Sequence, residues 1–156
     1  AIATIQKHYI LRTSWVVGKG KNFVKTMKEL AEKGIKPNVV NDQLGRLTFA
    51  EDLAGAIHHL LSNSQDYGTY NFTNSGRVVS WADIAKLTYE KSGHNPADVT
   101  SVSTADYYAG KENIALRPLL SELSLDKILS TGYSPNTWEE QLDKYLAELE
   151  SHNADR

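Results

Sequence analysis

Two hydroxyls and an indole stand side by side at Thr13, Ser14 and Trp15, directly after the apolar run Tyr9-Ile10-Leu11 and ahead of Val16-Val17-Gly18-Lys19-Gly20-Lys21-Asn22. In open α/β sheets the carboxyl end of a parallel strand is where ligands bind, because the strand delivers side chains into a crevice beside the following loop and helix. A second reading keeps Trp15 in the core as a buried aromatic and spends the hydroxyls on capping the next helix. From Asn22 the apolar residues Phe23, Met27, Leu30 and Ala31 recur at helical spacing. A helix capped by Asn22 would aim its amino terminus back at Ser14 and Trp15. Unpaired amides there favour an anionic group, phosphate above all.

Other chemistries are poorly supported by the residue pattern. No serine sits in a Gly-x-Ser-x-Gly elbow, which argues against a serine hydrolase. Gly18-Lys19-Gly20 lacks the third glycine of a dinucleotide-binding turn, and no phosphate-binding loop is present. Tyr107 precedes Lys111 by four residues, the spacing at which an ammonium can lower a phenol's pKa on a helix, but the intervening Gly110 weakens any helix there. His58 and His59 are neighbours on a helical pattern and point about 100° apart, so they do not share a metal.

The elements that would position these residues read as alternating strands and helices. Residues 2–12 form a tail or turn running into a strand, whose continuous apolar run predicts cover on both faces. The helix from Asn22 closes at Gly34. Residues 35–40 give a brief strand, and residues 41–46 a polar loop with Gly45 placed for a turn. Thr48, three residues before Glu51, predicts a capping box for a helix through Leu53, Ala54, Ile57, Leu60 and Leu61. Tyr70-Asn71-Phe72-Thr73 alternates like a strand, and Ser80 with Asp83 predicts a second capping box for a helix closed by Gly93. Residues 99–102 form a short strand, residues 103–113 are ambiguous, and residues 124–129 form a short helix. Trp138, Leu142, Tyr145, Leu146 and Leu149 mark one face of a last helix, with residues 151–156 as a frayed tail.

Composition narrows the function classes. The 156 residues, 40% hydrophobic, suffice for one domain with a core. A net charge of −2 with interspersed signs offers no basic stripe for nucleic acid. No apolar run is long enough to span a bilayer, so no membrane partner is expected. The absence of cysteine fits a reducing compartment, and the cytoplasm is the expected location. The chain enters strand-like sequence almost at once without an initiator methionine, which suggests a start inside a longer protein.

Taken in order, Leu11-Arg12-Thr13-Ser14-Trp15-Val16-Val17-Gly18, Asn22-Phe23-Val24-Lys25-Thr26-Met27, Val39-Val40-Asn41-Asp42-Gln43-Leu44-Gly45-Arg46, Asp52-Leu53-Ala54, and Arg117-Pro118 through Ser121 and Leu123 resemble dTDP-4-dehydrorhamnose reductase. That family of extended short-chain dehydrogenases makes dTDP-L-rhamnose with NADPH. The resemblance implies an α/β fold: the last Rossmann-type parallel strands plus a small mixed α/β substrate-binding subdomain. It implies that residues 1–156 are the C-terminal substrate-binding region of a longer reductase. The cofactor-binding half, the catalytic Ser or Thr and the Tyr-x-x-x-Lys pair would precede Ala1, so no catalytic residue is expected here and the piece alone should be inactive. By the same resemblance Thr13 and Ser14 would flank the nicotinamide of NADPH or NADH. Trp15 would pack against the deoxyhexose of a dTDP-sugar, and Asn22 and Arg117 would face the nucleotide diphosphate. A homodimer and a divalent metal in the whole enzyme stay open. Two positions depart from the family pattern: Val17 stands for an aromatic and Leu47 for a proline. A rival reading is a non-catalytic regulatory subunit of the same superfamily that binds a nucleotide sugar or cofactor.

Overall fold

The fold is that of a computed structural model describing residues 2–154. In chain order the elements are β1 (Tyr9–Arg12), β2 (Val16–Val17), α1 (Phe23–Glu32), β3 (Asn38–Val40), β4 (Leu44–Gly45), β5 (Thr48–Phe49) and α2 (Ala50–Ser62). There follow β6 (Gly68–Asn71), β7 (Val79–Ser80), α3 (Trp81–Lys91), β8 (Thr100–Val102), α4 (Thr104–Tyr108), α5 (Asp126–Leu129) and α6 (Trp138–Ala154). The strands form pairs: β1 with β6, β2 with β5 and β3 with β8 in parallel, and β4 with β7 antiparallel. Parallel pairs joined through helices make this an α/β fold, as the sequence pattern and the resemblance both predict.

Two helix starts follow from local chemistry. Asn22 has extended backbone and its side-chain oxygen accepts from the Lys25 N–H, satisfying one of the donors that open α1. Ser80 and Asp83 form the reciprocal capping box of α3. The start of α2 differs from expectation. Thr48 does not cap it, because Thr48 is committed to β5 beside Val16 and its hydroxyl donates to the Ser14 carbonyl instead. The cap residue is Phe49, and the buried Asn74, reaching over from the loop after β6, accepts from its N–H. No side chain caps α2 in the way the local pattern assigned to Thr48; the tertiary contact from Asn74 serves the Phe49 N–H, a different donor.

The core has three clusters. In the first, Trp138, Leu142 and Leu146 of α6 pack on Val17, Val24, Leu47, Phe49 and Ile84. Val17 and Leu47, the two departures from the family pattern, are fully buried there. A second cluster holds Met27, Ala31, Val39, Ala82, Ala85, Tyr89 and Val99 between α1, β3 and α3. The third packs Tyr9 and Leu11 against Ala56, Leu60, Tyr70, Phe72 and Ile128. Ile10, between them, points to the other side of β1, and among the described residues β1 pairs with β6 alone. Residues 9–11 are therefore half-buried, not covered on both faces as the continuous apolar run suggests. The last helix also outruns expectation: α6 continues to Ala154 where a frayed tail was expected, and Asp155 and Arg156 lie outside the described residues. Among the described residues no helix is long and apolar enough to cross a membrane.

Candidate functional site

Trp15 sits between β1 and β2 with φ at +50°, in the left-handed region that β-carbon-bearing residues rarely adopt. Holding a tryptophan there costs roughly 1–2 kcal/mol, so the surrounding structure must fix it. The Trp15 carbonyl accepts from the Thr48 N–H, and its indole stacks on Trp81 with ring centroids 3.9 Å apart and planes 22° off parallel. Phe23 leans on Trp81 in turn, at 4.5 Å. A β-carbon added to Gly45 would lie 3.0 Å from two atoms of the indole. Gly45 has ordinary φ and lies in β4, so it serves close approach to this ring, not the turn that the sequence suggests.

Gly45→Ala should therefore displace the indole by a few tenths of an ångström or strain β4. We expect a stability loss of about 1–3 kcal/mol, read by urea denaturation, with altered near-ultraviolet circular dichroism from the tryptophan pair. An unchanged spectrum would contradict the contact.

The aromatic group borders a cavity of about 590 Å³, within the range that holds a nucleotide-sized ligand. Phe23, Met27 and Leu30 of α1, Pro37 to Val40, and Trp81 at the start of α3 make its apolar side. Polar groups enter from Ser14, Gln43, Ser121 and Arg117, and Tyr107 and Tyr108 of α4 complete the wall. The segment carrying Arg117 and Ser121 is pinned from several directions. Leu44 N–H donates to the Leu119 carbonyl and Ser121 N–H to the Leu44 carbonyl, while Ser14 Oγ donates to the Ser121 carbonyl at 3.1 Å. Arg46 adds a 2.6 Å ion pair to Glu122 and donates to the carbonyls of Leu123 and Gly76.

Opposite them, Asp42 grips the first residue of α4. Its carboxylate accepts from Thr104 N–H at 2.9 and 3.0 Å and from Thr104 Oγ1 at 2.5 Å. These bonds, the hydroxyl first and the amide second, hold the Asp42 carboxyl below the usual carboxylate range. Gln43, almost fully buried, donates from Nε2 to the same Thr104 hydroxyl at 3.1 Å.

Three of the residues singled out in the sequence, Ser14, Trp15 and Arg117, meet on this cavity. Arg117 is exposed there and has no ion-pair partner among the described residues. Thr13 is exposed just outside, its hydroxyl donating to Thr48 Oγ1 at 3.1 Å. Asn22 does not line the cavity. Its amide donates to the carbonyls of Gly18 and Gly20 and to Tyr145 Oη, and its oxygen caps α1. Hence α1 turns its flank, not its amino terminus, to the cavity. Tyr107 and Lys111 do not share a helix, since α4 ends at Tyr108 and Gly110 has φ +72°. The Lys111 ammonium lies over the Tyr107 ring, 4.0 Å from its centroid. His59 bonds Thr131, and no cluster of potential metal ligands occurs among the described residues. Trp81 was missed as a site residue, although an indole at the first position of a helix, right after its cap, is a signal that the sequence carried.

With this geometry in hand, the relatives are informative. A family model described as the RmlD substrate binding domain matches residues 1–151. The spore coat polysaccharide biosynthesis protein SpsK of Bacillus subtilis (strain 168) is 41% identical over 149 residues, covering 95% of this chain and 50% of that protein. A dTDP-4-dehydrorhamnose reductase of Aggregatibacter actinomycetemcomitans is 35% identical over 156 residues, covering 92% and 51%. Among solved structures, the dTDP-4-dehydrorhamnose reductase of Bacillus anthracis str. Ames in complex with NADP superposes with a TM-score of 0.79 at 36% identity, covering 90% of this chain and 48% of that one. The chain spans about half the length of the curated relatives it matches.

Proposed function

The chain belongs to the RmlD substrate binding domain family, and from that premise we propose that it is the substrate-binding part, residues 1–156, of a longer dTDP-4-dehydrorhamnose reductase. In full, the enzyme reduces dTDP-4-dehydro-L-rhamnose to dTDP-L-rhamnose, and we place it in the cytoplasm. The observation that carries this reading is the cavity, on which an indole, a serine hydroxyl and a guanidinium without an ion-pair partner among the described residues converge. Those groups suit a ligand with an apolar ring face, sugar hydroxyls and a diphosphate.

Within that reading each residue has a task. Arg117 neutralises diphosphate oxygens, and its exposure leaves its five donors available. Trp15 gives its remaining ring surface to the deoxyhexose, since Trp81 and Gly45 already occupy part of it. Thr13 and Ser14, at the carboxyl end of a parallel strand, are the small polar side chains that would flank the nicotinamide. NADPH or NADH, when bound, supplies the hydride for the sugar ketone. Asn22 acts at one remove, by fixing the start of α1, whose flank forms the cavity wall. Holding reactants in line is a large contribution, worth on the order of 7–11 kcal/mol of the barrier.

The test is calorimetric titration of the longer protein that contains residues 1–156 with dTDP-L-rhamnose, against its Arg117→Ala variant. We expect saturable one-to-one binding, weakened about tenfold in the variant, as loss of a charge-assisted hydrogen bond implies. A folded chain that does not bind the nucleotide sugar overturns the reading. Equal affinities would take Arg117 out of the site.

A further inference from the structure

We propose that Asp42 is a positioning residue that holds the Tyr107–Tyr108 wall of the cavity by gripping Thr104. β3 and β8 run in parallel and end together, Val40 beside Val102, and the Asn41 N–H extends the ladder one step to the Val102 carbonyl. Beyond that bond no further ladder pairing joins the two segments among the described residues: Asp42 and Gln43 follow β3, and Ser103 and α4 follow β8. Within residues 103–111 the remaining hydrogen bonds are local: Tyr107 N–H to Ser103, Ala109 N–H to Asp106, Lys111 N–H to Tyr108, and the Ser103–Asp106 pair. Among the described residues, every hydrogen bond tying this segment to the rest of the chain ends on Thr104, and each comes from Asp42 or Gln43.

Nothing else in the segment supplies comparable anchorage. α4 is five residues long, too short to persist by its own backbone bonds. Ala105, Asp106 and Tyr107 are exposed, and no residue of α4 is buried. Both tyrosines nonetheless line the cavity, with Tyr107 held edge-on to Tyr108 at 5.1 Å and under the Lys111 ammonium. Their placement therefore passes through one threonine, and the carboxylate that holds it is not among the residues lining the cavity. A wall so mounted is fixed while Asp42 accepts both the amide and the hydroxyl. It is free to swing when that acceptor is removed.

The geometric claim stands apart from any ligand; its consequence for affinity rests on the nucleotide-sugar reading above. Two measurements on the longer protein that contains residues 1–156 separate them. In the first, amide hydrogen exchange without ligand, Asp42→Ala is expected to speed exchange across residues 104–111 at least about tenfold, leaving β3 and β8 protected. Thr104→Ser, which keeps both donors, is expected to match the original chain, and Thr104→Val, which keeps the amide alone, to fall between. In the second, calorimetry with dTDP-L-rhamnose, Asp42→Ala should weaken binding about tenfold while Thr104→Ser does not. Unchanged exchange in Asp42→Ala overturns the positioning role, as does faster exchange in residues 104–111 and in β3 and β8 alike, which would mark a general structural role. Faster local exchange with unchanged affinity overturns the wall's part in binding. Failure of the unsubstituted chain to bind overturns the nucleotide-sugar reading, and the exchange result still decides the role of Asp42.

Discussion

Trp15→Ala is expected, on the function proposed above, to lower kcat/KM for the keto sugar on the order of 100-fold in the longer protein, the scale set by misplacing reactants by about an ångström. Both parameters should move. KM should rise through lost ring contact, and kcat should fall because Trp15 and Trp81 brace each other: with the stack gone, Trp81 and Phe23 lose the partner that fixes their side of the cavity. Trp15→Phe, which keeps a ring for Trp81, should recover most of the loss. The backbone supplies an internal check. Alanine at φ +50° retains the left-handed strain while glycine does not, so Trp15→Gly should be more stable than Trp15→Ala by about 1 kcal/mol in urea melts. Unchanged steady-state kinetics in Trp15→Ala would remove Trp15 from the site.

The largest stability effect should come from a residue outside the cavity. Asn74 is fully buried; its oxygen accepts from Phe49 N–H at 2.7 Å and its amide donates to Asp52 Oδ2 at 2.6 Å and to the Asn136 carbonyl at 3.1 Å. Asn136 closes the group by donating to Asp52 Oδ1 at 2.7 Å. Asn74→Ala would orphan the first donor of α2 and strip a buried carboxylate of one of its two amide partners. The expected cost is about 3–5 kcal/mol, a large share of the roughly 5–15 kcal/mol that stabilises a typical domain. Asn136→Ala should cost less, because Asp52 then keeps its bond from Asn74. The measurement is the urea midpoint of each variant at constant m-value. A loss below about 1 kcal/mol for Asn74→Ala, the scale of an ordinary hydrogen bond, would refute the network's importance.

The helix caps illustrate what was legible in the chain and what was not. Asn22 and Ser80 were readable as helix caps because the bonds they make close within three residues, where spacing alone decides. Thr48 carried the same spacing and misled, since its hydroxyl is claimed by Ser14, a neighbour only after β2 and β5 pair. Gly45 showed its absence of a side chain but not the reason, because the indole it accommodates arrives from thirty positions earlier. The site was legible in part for the same cause. Ser14 and Trp15 were found together on one strand end, and Arg117 came through family resemblance. Gln43 and the grip of Asp42 on Thr104 became visible only once β3 and β8 lay side by side, whereas Trp81 carried a signal at its helix start that was passed over. Asn22 came through the resemblance in agreement with its place at a helix start, and its amide bonds Tyr145 and Gly18 rather than lining the cavity.

The parallel pairing has a temporal consequence. Each such strand must wait for a partner far along the chain: Tyr9 for Gly68, Val16 for Thr48, Asn38 for Thr100. At a ribosomal pace of roughly 5–20 residues per second, the interval between synthesis of Asn38–Val40 and of its mate is several seconds. During that wait two valines and a row of unbonded amides emerge without their eventual neighbour. The nascent chain is most open to clumping and to chaperone capture at that stage, so a truncation before Thr100 leaves that vulnerability permanent.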